Sequence, residues 1–220
     1  MSINFDEIID RRGTSCLKYD FAVERGYPKD VLPFWVADMD FRAPVPVIDA
    51  LTARTAHGIF GYTQVKDDYF NVLRDWFRTR HAWTVQRDEL VITPGVVFAI
   101  ATAIRAYTAP NEAVIIQQPV YYPFASMIRQ NGRTLIDSPL RFADGHYSID
   151  FADFEQKIID HKVKLFVLCS PHNPVGRVWT RAELEQLAAI CLRHHVIVVA
   201  DEIHEEFVRP GFCHIPFASL

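Results

Sequence analysis

The chain of 220 residues is 50% hydrophobic and 13% aromatic, enough apolar content to bury a sizeable core in one large domain with an appendage. A formal net charge of −4 and the lack of any Lys/Arg-rich run argue against a nucleic-acid binder, which carries a basic stripe. The longest apolar stretches, such as Val96–Ile104, are far shorter than the roughly 20 residues of a membrane helix, and Met-Ser-Ile-Asn-Phe-Asp lacks the basic and apolar regions of a secretory signal. A soluble, cytoplasmic protein is expected.

In chain order, residues 1–45 are rich in turn formers and aromatics (Gly13, Gly26, Pro28, Trp35) and predict an N-terminal arm with part of a small lobe. Residues 46–57 and 66–80 have helical periodicity, the second with Phe70, Leu73, Trp76 and Phe77 on one face. From about residue 90 strands and helices alternate. Leu90–Thr93 reads as a strand, Gly95–Tyr107 as a helix opened by Pro94-Gly95, and Ala113–Gln117 as a β-branched strand. Pro123–Asn131 reads as a helix closed by Asn131-Gly132, and Leu165–Ser170 as an apolar strand. Thr180 and Glu183 form a capping box ahead of Leu184, Leu187, Ala188 and Cys191. Val196–Ala200 is a fully apolar strand leading into Asp201. Apolar strands alternating with helices predict an α/β domain over 46–220 with a mainly parallel sheet flanked by helices.

Cys16, Cys169, Cys191 and Cys213 form no CxxC pair, and Cys169 and Cys191 lie in apolar segments as small hydrophobes. His194, His195, His204 and His214 fit neither HxxxH nor HExxH spacing, so no metal site is expected.

Ligands of open parallel sheets bind beyond the carboxyl ends of the strands. Polar and aromatic groups collect there in three segments: Pro119–Pro123 after the 113–117 strand, Asn173–Gly176 after the 165–170 strand, and Asp201–His204 after the 196–200 strand. A fourth, Thr93–Val97, offers free backbone N–H groups at a helix start, an arrangement suited to a phosphate. Each alone has an ordinary structural reading as a turn, a loop, a helix cap or a rim aromatic. Together they are far more specific.

The strings SPHNPVG (170–176) and VVADEIHEEF (198–207) resemble fold-type I enzymes that use pyridoxal 5′-phosphate. PFWVADMDF (33–41), GIFGYT (58–63), TPGVV (93–97) and QPVYYPF (118–124) narrow the likeness to the MalY/PatB-type cystathionine β-lyases, relatives of the class I/II aminotransferases. The resemblance covers essentially the whole chain. It implies that Asp201 keeps the cofactor's pyridine nitrogen protonated, Asn173 hydrogen-bonds its phenolic oxygen and Tyr121 stacks on its ring. The backbone at Gly95, Val96 and Val97 would hold the phosphate. His204 stands where aminotransferases carry a tyrosine, which favours the lyase branch. Tyr62 would reach the phosphate of a neighbouring subunit, implying a homodimer, and Trp35 and Asp38 would line the substrate entrance.

The resemblance also places the Schiff-base lysine, the substrate-carboxylate arginine and the small C-terminal domain beyond Leu220. No catalytic residue is therefore assigned within the chain: Lys157, Lys162 and Lys164 read as solvated charges. On this expectation 46–220 is an incomplete cofactor domain, and the chain as it stands has little activity. The implied parent reaction is β-elimination, in which cystathionine or a cysteine S-conjugate yields a thiol, pyruvate and ammonia. An aminotransferase of the same fold, or a non-catalytic protein that binds the cofactor or a partner, remain the alternatives.

Overall fold

Four short segments pair into one parallel sheet in the computed structural model, which describes residues 4–220. Residues 1–3 of the expected arm, which also open the segment read for a secretory signal, lie outside the described residues. The elements in chain order are α1 (Val45–His57), α2 (Asp67–His81), α3 (Val96–Tyr107), β1 (Ala113–Ile116), α4 (Pro123–Gln130), β2 (Thr134–Asp137), β3 (Arg141–Ala143), β4 (His146–Ser148), α5 (Phe151–His161), β5 (Leu165–Cys169), α6 (Arg181–Arg193) and β6 (Ile197–Asp201). No helix among the described residues is long and apolar enough to cross a membrane. The chain packs as two compact units, Met1–Gln64 and Val65–Leu220.

In the second unit the strand order is β2-β1-β5-β6, every neighbouring pair parallel. Both faces of the central strands are covered, which is why β1 and β5 read as unbroken apolar runs. On one face Ile100 and Ile104 of α3 and Phe124 and Ile128 of α4 pack against Val114, Ile116 and Val167. On the other, Phe154 and Ile158 of α5 and Leu184 and Leu187 of α6 pack against Ile115, Phe166 and Leu168. The chain passes from β1 outward to β2, and later from β5 outward to β6. The sequence order therefore reverses between β1 and β5, the topological switch point where open α/β sheets place ligands.

The expected α/β architecture is present, and several local signals work as read. Thr180 caps α6 by accepting from the Glu183 amide at 3.3 Å, while Glu183 accepts from the Thr180 amide at 2.8 Å. Gly95 stands as the N-cap of α3. Leu90–Thr93 is not a strand. It runs without a ladder partner among the described residues, with Val91 79% exposed, because an apolar run becomes a strand only beside a neighbour with free backbone groups. Three elements escaped the sequence reading as strands or bounded helices: β2, the β3–β4 hairpin and α5. The hairpin turns on Asp144 and Gly145, both at positive φ (52° and 75°) as a tight primed turn requires. Helix α5 starts at Asp150, whose side chain accepts from the Asp153 amide at 3.2 Å.

The first unit contains α1, which follows Pro44 and ends at Gly58 with φ 72°. Arg11 binds both Asp38 and Asp40, and the buried Lys18 donates to the Asp38 carbonyl at 2.9 Å and to Asp40 at 3.2 Å. Trp35 stacks on Tyr27 with ring centroids 4.7 Å apart and planes inclined by 21°.

Candidate functional site

Asp201 closes β6 in register with Cys169 of β5, so both sit at the carboxyl end of the sheet. Strand alternation turns Asp201 to the face that Val199 shares with α3 and α4. The residue is only 5% exposed, and among the described residues its carboxylate accepts one hydrogen bond, from the Ile203 amide at 3.2 Å. Burial raises its pKa above the ordinary aspartate value, with the Ile203 bond and the His204 imidazole pulling the other way. An acid held this way gains most from a cationic partner.

Two loops rise on either side of the switch point. The loop after β1 carries Tyr121, half-buried, with its ring 5.9 Å from Phe124 and 5.6 Å from Tyr122. Burial raises the Tyr121 pKa, and the charges of Tyr122 and Asp201 add to it, which brings the phenol within electrostatic reach of Asp201. The loop after β5 carries Asn173, half-buried, whose amide donates to Cys169 Sγ at 3.4 Å. Burial pushes the Cys169 thiol up to about 12, so it stays protonated.

The two loops are tied by a residue to which the sequence reading gave no role. His172 is buried, and its Nε2 donates to the Pro119 carbonyl at 3.0 Å. A carbonyl only accepts, so Nε2 carries the hydrogen and Nδ1 is a bare acceptor; it has no partner among the described residues. Burial pushes this histidine down to about 4, fixing it neutral near pH 7. Its ring meets Trp179 edge-on at 5.4 Å, and the Trp179 indole donates to the Cys169 carbonyl at 3.0 Å. The visible signal was a histidine between Pro171 and Asn173-Pro174 directly after an apolar strand.

At α3, Gly95 adopts φ 132° and ψ 161°, a conformation that side chains disfavour, and no side chain among the described residues caps the helix. The first intrahelical bond is Ala99 N–H to the Gly95 carbonyl, so the amides of Val96, Val97 and Phe98 are left free of helical acceptors. An anion is favoured there by both the free donors and the helix dipole. A groove of about 690 Å³ opens at this end, lined by Pro94–Phe98 and continuing past Ala101 and Arg105 to α4; Tyr121, Asn173 and Asp201 do not line it.

His204 follows Asp201 in a turn, half-buried, with its ring 5.9 Å from Phe207. Gly95, Val96, Val97, Tyr121, Asn173, Asp201 and His204 all belong to the second unit; Trp35, Asp38 and Tyr62 belong to the first. There Tyr62 is fully exposed, the Trp35 indole nitrogen is buried without a partner among the described residues, and the Asp38 carboxylate is engaged by Arg11. Lys162 and Lys164 lie at the amino end of β5, opposite to Asp201, and Lys157 pairs with Asp153 at 2.9 Å on α5. None of the three shares the carboxyl-end crevice.

Comparison with known proteins agrees with this geometry. A family profile described as aminotransferase class I and II matches residues 29–219. Cystathionine beta-lyase PatB of Bacillus subtilis (strain 168) is 46% identical over 218 residues, covering 99% of this chain and 56% of PatB. Protein MalY of Escherichia coli (strain K12) is 37% identical over 219 residues, with coverage of 99% and 56%. The crystal structure of cystalysin from Treponema denticola, which contains a pyridoxal 5′-phosphate cofactor, matches with a TM-score of 0.93 at 37% identity, covering all of this chain and 56% of that one. The chain thus spans about half the length of the curated relatives it matches, 56% of PatB and of MalY. With a parallel sheet of this order, a buried aspartate at the end of β6 and a family profile along 29–219, the chain belongs to the class I and II aminotransferase family.

Proposed function

We propose that the protein is a pyridoxal-phosphate-dependent carbon–sulfur β-lyase, converting cystathionine or a cysteine S-conjugate with water into a thiol, pyruvate and ammonia. The observation that carries the reading is the buried Asp201, raised in pKa and short of a cation, at the same sheet end as Tyr121, Asn173 and an uncapped helix start. These residues fit the cofactor: a pyridinium nitrogen answers Asp201, a phosphate answers the free amides of α3, and an aromatic ring answers Tyr121. When bound, pyridoxal phosphate supplies an electron sink for the pair left at the substrate's Cα. Asp201, ionised against a cationic nitrogen, would hold that proton in place. Asn173 would donate to the ring's phenolic oxygen, and the neutral His172 would keep the Tyr121 and Asn173 loops at a fixed separation. The amides of Val96 and Val97 would anchor the phosphate end and so set the orientation of the whole group.

Two features of the reading concern the larger assembly. Residues 1–45 act as an arm, and 46–220 form the cofactor domain. Tyr62, fully exposed in the first unit, is assigned to the phosphate of a neighbouring copy in a cytoplasmic homodimer.

The test has two stages. Purified chain incubated with pyridoxal phosphate should retain it through gel filtration, and the Asp201→Asn variant should not. The chain is then joined to the part of PatB that it does not match and assayed on cystathionine. Release of pyruvate without an oxo-acid acceptor supports the lyase. Amino-group transfer that depends on an oxo acid would favour the aminotransferase reading, which the family profile keeps open.

A further inference from the structure

Behind Asp201, on the opposite side of the sheet, a second group of titratable side chains is left unused by the chemistry above. Glu202 and Glu205 stand on one turn, closed by the Glu205 amide donating to the Glu202 carbonyl at 2.8 Å. His214 enters from a later segment. Its side chain is 1% exposed, and neither ring nitrogen has a hydrogen-bond partner among the described residues. Glu202 Oε1 lies 3.8 Å from His214 Nε2, too far for a hydrogen bond. Glu205 makes no side-chain hydrogen bond among the described residues; His81 Nε2 approaches it at 3.7 Å.

We propose that Glu202, Glu205 and His214 form a binding site for a zinc-like divalent cation. One ligand atom from each lies within 4.8 Å of the others. Bonds of about 2.0–2.1 Å in tetrahedral geometry put ligand atoms roughly 3.4 Å apart, so a modest inward movement of two carboxylates closes the site. The cation answers two groups without side-chain hydrogen bonds among the described residues, the buried His214 imidazole and the Glu205 carboxylate, and adds a partner for Glu202; the two carboxylate side chains are only 17% and 21% exposed. An imidazole ligand selects zinc and similar transition metals over magnesium or calcium.

The surroundings have the form of an outer shell. The Phe217 amide donates to Glu202 Oε1 at 2.7 Å and holds that carboxylate in place. His81 stands edge-on to His214 at 5.5 Å. Its own Nε2 lies 3.0 Å from Glu206 Oε1, which also accepts from the Trp76 indole at 2.7 Å, and Arg80 binds the other Glu206 oxygen at 2.8 Å. Glu206 is therefore already satisfied, and the fourth metal position falls to water. Histidine spacing gave no hint of the site, because the imidazole and the carboxylates come from separate turns.

Purified chain is stripped with a chelator and titrated with zinc chloride against a chromophoric competitor. One zinc per chain is expected. Glu205→Gln and His214→Gln should each weaken it by at least the roughly 10- to 100-fold that follows loss of a supporting residue at a metal site. Cobalt should show visible bands of a tetrahedral complex in the parent chain and lose them in both variants. Because His214 is deeply buried, the near-isosteric Glu205→Gln is the deciding variant, with its fold checked by circular dichroism. Failure of the folded parent chain to bind zinc, or unchanged affinity in folded Glu205→Gln, overturns the site.

Discussion

Replacing Asp201 by asparagine separates two roles that pull in opposite directions. Without a cation beside it, this carboxylate is a burden on the fold: it is 5% exposed and has one backbone hydrogen bond, and burial raises its pKa. A raised folded pKa contributes stability that is complete below the unfolded value, about 3.9 for aspartate, and lost as pH rises through the folded value. Asparagine removes that dependence. The cofactor-free variant should therefore equal or exceed the parent in urea stability at pH 7, with the difference shrinking as pH falls towards 4. Binding should respond oppositely. Truncating one partner of a buried, hydrogen-bonded charge pair costs about 2–5 kcal/mol, and 1.4 kcal/mol is tenfold in Kd, so pyridoxal phosphate should bind roughly 30- to 4,000-fold more weakly. Equilibrium dialysis at several cofactor concentrations measures the second effect, and urea titrations at pH 4, 5.5 and 7 the first. Affinity within threefold of the parent would refute the role given to Asp201, and a variant less stable at pH 7 than at pH 4 relative to the parent would refute the burial argument.

Other outcomes follow from the same structure. Gly95→Ala meets no atom within 4 Å but must hold φ 132°, so about 1–3 kcal/mol of stability should be lost in urea titration, together with cofactor retention. Phe154→Ala empties a fully buried position edge-on to Phe166 at 4.9 Å and should cost about 3–5 kcal/mol by the same measurement. Thr180→Ala removes one side of the α6 capping box and should cost about 0.5–2 kcal/mol. His172, held at about 4 against about 6.5 when unfolded, contributes stability present above 6.5 and lost as pH falls towards 4, up to about 3 kcal/mol. His172→Phe should flatten that part of the pH profile in urea titrations.

How much of this was legible in the sequence depends on whether a signal is local. The cap at Thr180, the glycine at α3 and the apolar runs of β1, β5 and β6 act within a few residues, and they appear where the pattern put them. Leu90–Thr93 has the composition of a strand but no neighbour to pair with among the described residues, and pairing is a property of the fold rather than of the run. The short, half-exposed β2 has little apolar periodicity to betray it. Candidate site residues at the ends of β1, β5 and β6 could be named from the rule that parallel sheets bind ligands at their carboxyl ends. The His172–Pro119 bond and the His214 cluster could not, since each joins residues remote in sequence through side-chain geometry alone.

Asp201 and Glu202 are adjacent acids that look the same in the sequence, yet one turns towards Tyr121 and the other bonds the Phe217 amide behind the sheet. Asp201 is the last residue of β6, turned by the strand's alternation to the face of α3 and α4, and Glu202 is the first residue beyond it. A slip of β6 by a single residue would exchange the two carboxylates, offering the longer glutamate to the crevice and withdrawing aspartate to the far side. The five-residue pairing of β6 with β5, from Leu165–Ile197 to Cys169–Asp201, thus acts as a ruler as well as a brace: it decides which of two neighbouring acids the crevice receives.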